Sequence, residues 1–459
     1  MDVSTETVSR QKNELFETAP IPRALATMAV PTIVSQLITL IYNIADTWYI
    51  GQTKNPYMVA ATSLCLTVFM VLVALSNLFG VGGGSLMSRL LGSRLEEEAR
   101  RVASLSLVLA AGAAALYGLV CFVFMDRLLR LLGASDNTIG YARQYLTLVV
   151  GVGSLPTVLS NTMGTLLRNV GYSRQAAVGL GFGGVLNMAL DPLFMFVLLP
   201  DGYQVLGAAI ATMLSNVAAL IYFVVVYRRV RDKTILELPR RIERVEPASL
   251  KGIFAVGVPS ALSVFLFDLT NIILNRLTAG HGDLELAAVG IVLKVERLPL
   301  NVGIGIGLGM IPLVAYNYAA GNFDRMKGFF SAARLAGLAV AACSVALYRI
   351  FASQIIAAFI DNADTVYYGT KFLQARCFAT PFMFLSFHMV YFMQAVGRGK
   401  ISFCLAVIRQ LALNIPILLL LDHFFGMDGI VWTQATADFL NVVASYIIYS
   451  RVIRKITAA

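Results

Sequence analysis

Two aspartates stand in stretches where charge is costly: Asp46 in AVPTIVSQLITLIYNIADTWYIG and Asp191 in NMALDPLFMF. An ionisable side chain near the centre of a bilayer costs at least about 2.5 to 3.5 kcal/mol on insertion scales, so each needs a partner, a wet cavity or a task. Ser35, Thr39, Tyr42 and Asp46 recur at helical spacing and share one stripe, with Asn43 beside it. Asn187 lies one turn before Asp191, and Pro192 cannot donate a hydrogen bond to the Met188 carbonyl. Thr212 with Asn216, and Thr157 with Asn161 and Thr165, are further polar pairs at helical spacing. These groups together predict one oxygen-rich pocket in the first half of the chain. Two carboxylates inside it could be charged and discharged, by protons or by a sodium ion held at Asp46 and Asp191.

The second half offers a different set. Asp268, Asn271 and Asn275 make one stripe, and Gln434, Asp438, Asn441 and Ser445 make another. Lys294 shares a helical face with Arg297 and Asn301, whereas Glu296 points elsewhere and needs a partner from another helix or water. Arg376 and Arg409 also fall in apolar runs and could neutralise Asp268, Glu296 or Asp438. Asp268, Glu296, Asp438, Lys294 and Arg297 are therefore read either as internal ion pairs or as a second site touching substrate. His388 reads as an ordinary hydrogen-bonded interior residue.

The elements that must position these groups follow from composition. Hydrophobic residues make up 58% of the chain, charged residues 14%, and the mean hydropathy is +0.75; soluble domains carry about 25% charged residues. Apolar runs recur about twelve times, each long enough to cross a hydrocarbon core of about 30 Å, where only helices or closed barrels satisfy the backbone. The expected fold is all-α and integral to the membrane, with about twelve spanning helices. The two halves are diverged copies: the stretch from Ala29 re-reads as GVPSALSVFLFDLTNIILNRLTAG from Gly257, setting Pro31 on Pro259 and Asn43 on Asn271. Asp46 falls on Leu274, and Asp191 on Asn414 or Ile415, so the acids belong to one copy alone. We expect a six-helix bundle over residues 1–229, a basic cytoplasmic linker over 230–251 and a second six-helix bundle over 252–459.

Lys and Arg collect in alternate loops, including Arg10, Lys12 and Arg23 before the first span and the stretch from Arg228 to Lys251, while the loops after 199, 279 and 421 hold none. That pattern puts both termini in the cytoplasm and assigns the net charge of +10 to a basic face beside anionic lipid, without nucleic acid. Five cysteines without paired spacing and three scattered histidines give no support for a disulfide framework or a bound metal centre, and no cofactor is expected. Gly82, Gly83 and Gly84 lie within an apolar run and read as a close helix contact, not a phosphate cradle.

Over nearly its whole length the chain resembles the multidrug and toxic compound extrusion family, in its bacterial MepA/DinF-like branch. The resemblance is carried by the first helix through Gly51, the glycine-rich end of the second, LRNVGYSRQ from Leu167 and NMALDPLFMF from Asn187. It implies two six-helix bundles around a central cavity and an antiporter that exports small organic cations against sodium ions or protons by alternating access. Residue by residue it gives the cation-coupling role to Asp46, Asn187 and Asp191, with Tyr42, Thr212 and Asn161 beside them, and sets Asp268 only roughly on a second-half acid. The expected setting is the inner cell membrane, the expected form a monomer in contact with lipid. A flippase for anionic or lipid-linked substrates on a similar scaffold is the alternative, with Lys294, Arg297, Arg376 and Arg409 lining a basic cavity. A membrane enzyme or receptor without transport is the third reading.

Overall fold

The computed structural model describes residues 14–239 and 246–457; Arg10, Lys12, linker residues 240–245 and the side chain of Asp268 lie outside the described residues. The described chain is all-α. Six spans come from the first half: α1 Ile21–Gln52, α2 Pro56–Gly92, α3 Glu96–Val123, α4 Ile139–Val152 with Ser154–Asn169, α5 Ser173–Leu198 and α6 Gln204–Lys233. Six come from the second: α7 Pro247–Ala279, α8 Asp283–Ala319, α9 Phe323–Ala357, α10 Ala363–Arg376 continuing through Thr380–Ala395, α11 Gly399–Phe425 and α12 Met427–Thr457. Among the described residues nine of these are long and apolar enough by themselves to cross a bilayer, and α4 makes ten when its two pieces count as one span. With α10 and α12 they give the twelve spans expected, in two repeated sets.

Regular helix gives way to wider π turns at three places: Thr147–Val152 in α4, Leu193–Leu198 in α5 and Ile408–Asn414 in α11. In α4 the Gly153 amide donates to the Leu148 carbonyl five residues back, at 2.8 Å, and the helix bends by 52°. Pro156, unable to donate, stands just beyond the bend. In α5 the π turn starts directly after Pro192, so the proline does not end the helix; it widens it.

The chain divides into two compact units, and their borders run through helices, not through the linker. One unit holds Val34–Ala261 and the stretch ending at Ala19; the other holds Pro20–Ile33 and Leu262–Ala459. The first part of α1 thus belongs with the second-half helices, and the first part of α7 with the first-half helices. Glycines explain why these half-helices seat so closely. A Cβ on Gly257 of α7 would lie 2.1 Å from the Leu78 carbonyl oxygen of α2, and one on Gly82 would lie 2.4 Å from the Ile253 oxygen. In the other unit a Cβ on Gly305 or Gly309 of α8 would come within 2.7 Å of the α1 backbone at Ile33 or Ala29. Without side chains in the way the backbones touch, which is how apolar helices attract one another in lipid. Pro31 and Pro259, matched in the repeat, each stand close before the border in their helix.

The glycine run of α2 does the same work sideways. A Cβ on Gly83 would strike the Ser106 hydroxyl of α3 at 2.1 Å, and one on Gly84 the Asn169 amide of α4 at 2.4 Å. The linker is less separate than its charge suggests: Ile235 and Leu236 are buried in the core of the first unit, and Glu237 stands opposite Arg100.

Filling the α2–α7 contact should be costly while a glycine facing nothing should be replaceable. Gly257→Ala is expected to destabilise the detergent-solubilised protein by about 1 to 3 kcal/mol, the usual cost of overpacking. Gly112→Ala, with no atom near its new Cβ, should leave the melting temperature unchanged or raised. Equal melting of both variants would contradict this account of the contact.

Candidate functional site

The first unit brings α1 and α5 together along a stripe of small residues. A Cβ on Gly181 would lie 2.9 Å from Ile38, and one on Gly184 would lie 3.0 Å from Tyr42 and 3.1 Å from Ile38. Ile38, Tyr42 and Asp46 succeed one another at four-residue steps on α1, while Gly184, Asn187 and Asp191 succeed one another at three and four on α5. Close approach at the glycines therefore continues into close approach of the two acids one to two turns further on. Asp46 lies within electrostatic reach of Asp191, and the Tyr42 phenol lies within reach of both.

What the acids lack is as informative as what they touch. Asp191 is completely buried and Asn187 nearly so, at 0% and 3% exposure. Both Asp191 carboxylate oxygens, Asp46 Oδ1 and Asn187 Oδ1 are sealed from solvent and accept no hydrogen bond among the described residues. Asn187 Nδ2 donates to the Thr212 hydroxyl of α6 at 3.3 Å, which turns its Oδ1 away from that threonine. Four acceptors without donors thus lie in one region. Buried acceptors of this kind cost about 1 to 3 kcal/mol each unless something else occupies them. A proton on a carboxylate, or a cation among the oxygens, supplies what is missing. No group of three His, Cys, Asp or Glu residues is clustered among the described residues, so a cation here would be completed by neutral oxygens. That donor set suits a hard monovalent ion and does not suit a transition metal.

Of the other first-half residues, Asn161 spends its amide on the Thr157 carbonyl of its own helix, at 2.8 Å, and makes no bond to either acid. Asn216 donates to the Thr157 hydroxyl at 3.0 Å and so ties α6 to α4 beyond the bend. Before the bend, Tyr145 reaches Thr212 and lies within electrostatic reach of Asp46. Sequence reasoning passed over Tyr145. Its signal was present, because about three helical turns separate it from Thr157 on the same helix, and Gly151, Gly153 and Pro156 mark the bend that lies between them.

The second-half charges resolve mostly into pairs. Arg376 holds Glu296 with Nε at 3.1 Å and Nη2 at 3.0 Å from its carboxylate oxygens, both side chains largely buried. Arg409 holds Asp438 with Nε and Nη2, the latter at 3.1 Å. Glu296 and Asp438 are thus occupied by arginines, which favours the ion-pair alternative over a substrate site for these two. Lys294 and Arg297 are exposed on α8, with no ion pair among the described residues. The helix of Asp268 is described but its side chain is not. Asn441 donates to the Ser386 hydroxyl at 2.9 Å, so the polar stripe of α12 also ties helices together. His388, fully buried, meets the Gly303 carbonyl at 3.1 Å as expected of an interior residue.

With this geometry in hand, similarity to known proteins becomes informative. The sequence profile of the MatE family matches residues 31–193 and 259–420, one match in each repeat. The Multidrug export protein MepA of Staphylococcus aureus strain MSSA476 is 29% identical over 436 residues, covering 94% of both chains. The protein of the same name from Staphylococcus haemolyticus is 28% identical over 439 residues, covering 95% of both. Among solved structures, a MATE transporter in complex with MaL6 superposes with a TM-score of 0.92 at 23% identity, covering 98% of this chain and 99% of that one. A MOP superfamily transporter from Pyrococcus furiosus, described as having a binding pocket of reverse polarity, superposes with a TM-score of 0.89 at 23% identity, over 97% and 98% of the chains.

A carboxylate kept buried without donors should weaken the resting fold. Asp191→Asn is expected to raise the melting temperature of the purified protein in sodium-free, mildly alkaline buffer, since the amide lowers the desolvation cost. A clear fall instead would mark Asp191 as a structural hydrogen-bonding residue.

Proposed function

The chain belongs to the MatE family, and from that premise we propose that it exports small organic cations across the inner cell membrane, driven by inward flow of protons or sodium ions. The proposal places both termini in the cytoplasm, where the basic loops face anionic lipid, and takes the monomer as the working unit. Its relatives are transporters by name, multidrug export proteins among them, and the reading as an enzyme is set aside on that ground.

The observation that carries the proposal is the set of donorless buried oxygens on Asp46, Asn187 and Asp191. An empty pocket holding two charged acids is expensive to seal from water, and a filled one is not. A bound proton or cation therefore changes the relative stability of states in which the pocket is open or closed. Differential affinity of that kind is what an alternating-access cycle needs, because a ligand shifts an equilibrium only by as much as it prefers one state. Tyr42 and Tyr145 sit beside the acids and would shape the filled pocket; Thr212 orients Asn187. Pro31 and Pro192 interrupt helix hydrogen bonding on either side of the site and are the positions where α1 and α5 bend most cheaply. Aromatic and methionine side chains, abundant here, would hold a drug-like cation with few directional bonds.

The flippase alternative asks for Lys294, Arg297, Arg376 and Arg409 unpaired around a cavity. Arg376 and Arg409 are paired with acids, which weighs against that reading, while Lys294 and Arg297 are exposed with no ion pair among the described residues.

Proteoliposomes loaded with a fluorescent organic cation, given a sodium gradient or a proton gradient separately, test the proposal. One of the two gradients should drive transport, and Asp46→Asn and Asp191→Asn should each reduce it at least about tenfold, the loss of a required intramembrane acid. Full gradient-driven transport in either variant would remove that acid from the coupling role.

A further inference from the structure

The second unit contains the same pocket in altered form, and its contents are visible. The repeat that sets Asp46 on Leu274 also sets Tyr42 on Thr270. On the later helices Asp191 falls on Asn414 or its neighbour Ile415, the first register setting Asn187 on Gln410, and Thr212 and Asn216 fall on Gln434 and Asp438. In the last register Gly207 aligns with Gly429, and each lies close against the preceding helix, their Cβ positions 2.8 Å from the Phe194 backbone and 2.0 Å from the Leu421 carbonyl oxygen. Tyr42, Asn187, Asp191, Thr212 and Asn216 thus have polar counterparts, and Asp46 has none.

The counterparts are hydrogen-bonded to one another in two groups. The Thr270 hydroxyl meets Gln410 Oε1 at 3.1 Å. Asn414 Nδ2 donates to Gln434 Oε1 at 3.1 Å, and Gln434 Nε2 donates to Asp438 Oδ2. The remaining positions around the Asp438 carboxylate are filled by the Arg409 guanidinium, Nε on Oδ1 and Nη2 on Oδ2. That guanidinium also lies over the Phe387 ring, 4.5 Å from its centroid, and both charged residues are buried, at 4% and 0% exposure. The first pocket has nothing like it: Leu186 stands in the register of Arg409. One unit therefore has carboxylate oxygens without donors, and the other has a carboxylate whose oxygens are all taken, in matched places.

We propose that Arg409 is a tethered cation that permanently occupies the second unit's copy of the ion pocket, so that this unit takes up no coupling ion and the chain carries its ion through the first unit alone. The second clause rests on the antiporter reading; the first does not. A covalently attached guanidinium cannot leave, whereas a proton or sodium ion can, so the pair holds the second pocket in its filled condition throughout a cycle. The difference between the two copies is then one of occupancy, made by Arg409 together with the acid it holds, Asp438.

If the pocket is a cation site, removing the tether should let a free ion take its place. Arg409→Ala is expected to lose melting temperature and to regain it on addition of millimolar guanidinium chloride, saturably and by at least about 3 °C, as for any ligand that binds only the native state. Choline chloride at equal strength should do nothing, and wild type and Arg409→Ala/Asp438→Asn should not respond. The absence of rescue in Arg409→Ala, or equal rescue in the double variant, would overturn the proposal. Should Arg409→Ala not yield folded protein, Arg409→Met/Asp438→Asn decides: the neutral pair should fold and export within about twofold of wild type, since replacement of a buried ion pair by neutral groups is often tolerated. A tenfold loss of export with melting unchanged would mean that the pair takes part in the ion cycle, against the proposal. Asp191→Asn in the same export assay reports on the first unit separately, and the melting arm stands even where no export is seen.

Discussion

Inside hydrocarbon no water is available to complete a hydrogen bond, so each buried polar atom in this chain must find its partner in protein or bear the cost alone. Most do. Threonine and serine hydroxyls return to carbonyls of their own helices, as in Thr32 to Met28 or Ser106 to Val102, and the second unit ties Glu296 and Asp438 to arginines. Among the described residues, Asp46 and Asp191 are the buried carboxylates that depart from that rule, and they are held in place by other features: the small residues that let α1 and α5 touch, the π turn after Pro192, and the amide of Asn187 fixed by Thr212. A site left short of donors is stable only because the surrounding helices are packed well enough to tolerate it.

The two units show two solutions to the same problem on one scaffold. A carboxylate in a membrane helix can be satisfied for good by a neighbouring arginine, or intermittently by something that arrives and departs. The first solution gives rigidity, and the second gives a response to the ion content of the surroundings. In the duplicated chain they are separated by a leucine where the other copy has arginine, an aspartate of the first helix replaced by Leu274, and an acid on the fifth helix of one copy but the sixth helix of the other.

Much of this was legible in the sequence. Apolar runs of spanning length, the re-reading of Ala29 onward at Gly257, and the isolated acids pointed to the twelve helices, the repeat and Asp46 with Asp191, because hydrophobic length and the cost of charge leave few other readings. The glycine run at Gly82 was read as helix contact, and the contacts at Ile253, Ser106 and Asn169 bear that out. Partner choice was not legible. That Arg376 would take Glu296 and Arg409 would take Asp438 depends on residues 80 and 29 positions apart meeting in space, which periodicity within one helix cannot say. Nor could it show that Asn161 turns back on its own helix, or that a bend at Gly153 carries Tyr145 to Thr212. The unit borders inside α1 and α7 were hidden for a related reason: the linker is where composition changes, but packing follows the glycines.

That exchange of half-helices has a consequence for how the chain is made. Residues 247–261 complete the wall of the first unit against α2, yet they leave the ribosome only after all six earlier helices and the linker. Until then the strip along Leu78 and Gly82 has no neighbour from its own chain. The opening part of α1, made first of all, must in turn wait for α8 to be synthesised before Gly305 and Gly309 can receive it. The first unit therefore waits past its own six helices for the opening of α7, and the opening of α1 waits for α8, so neither unit is completed by one uninterrupted half of the polypeptide.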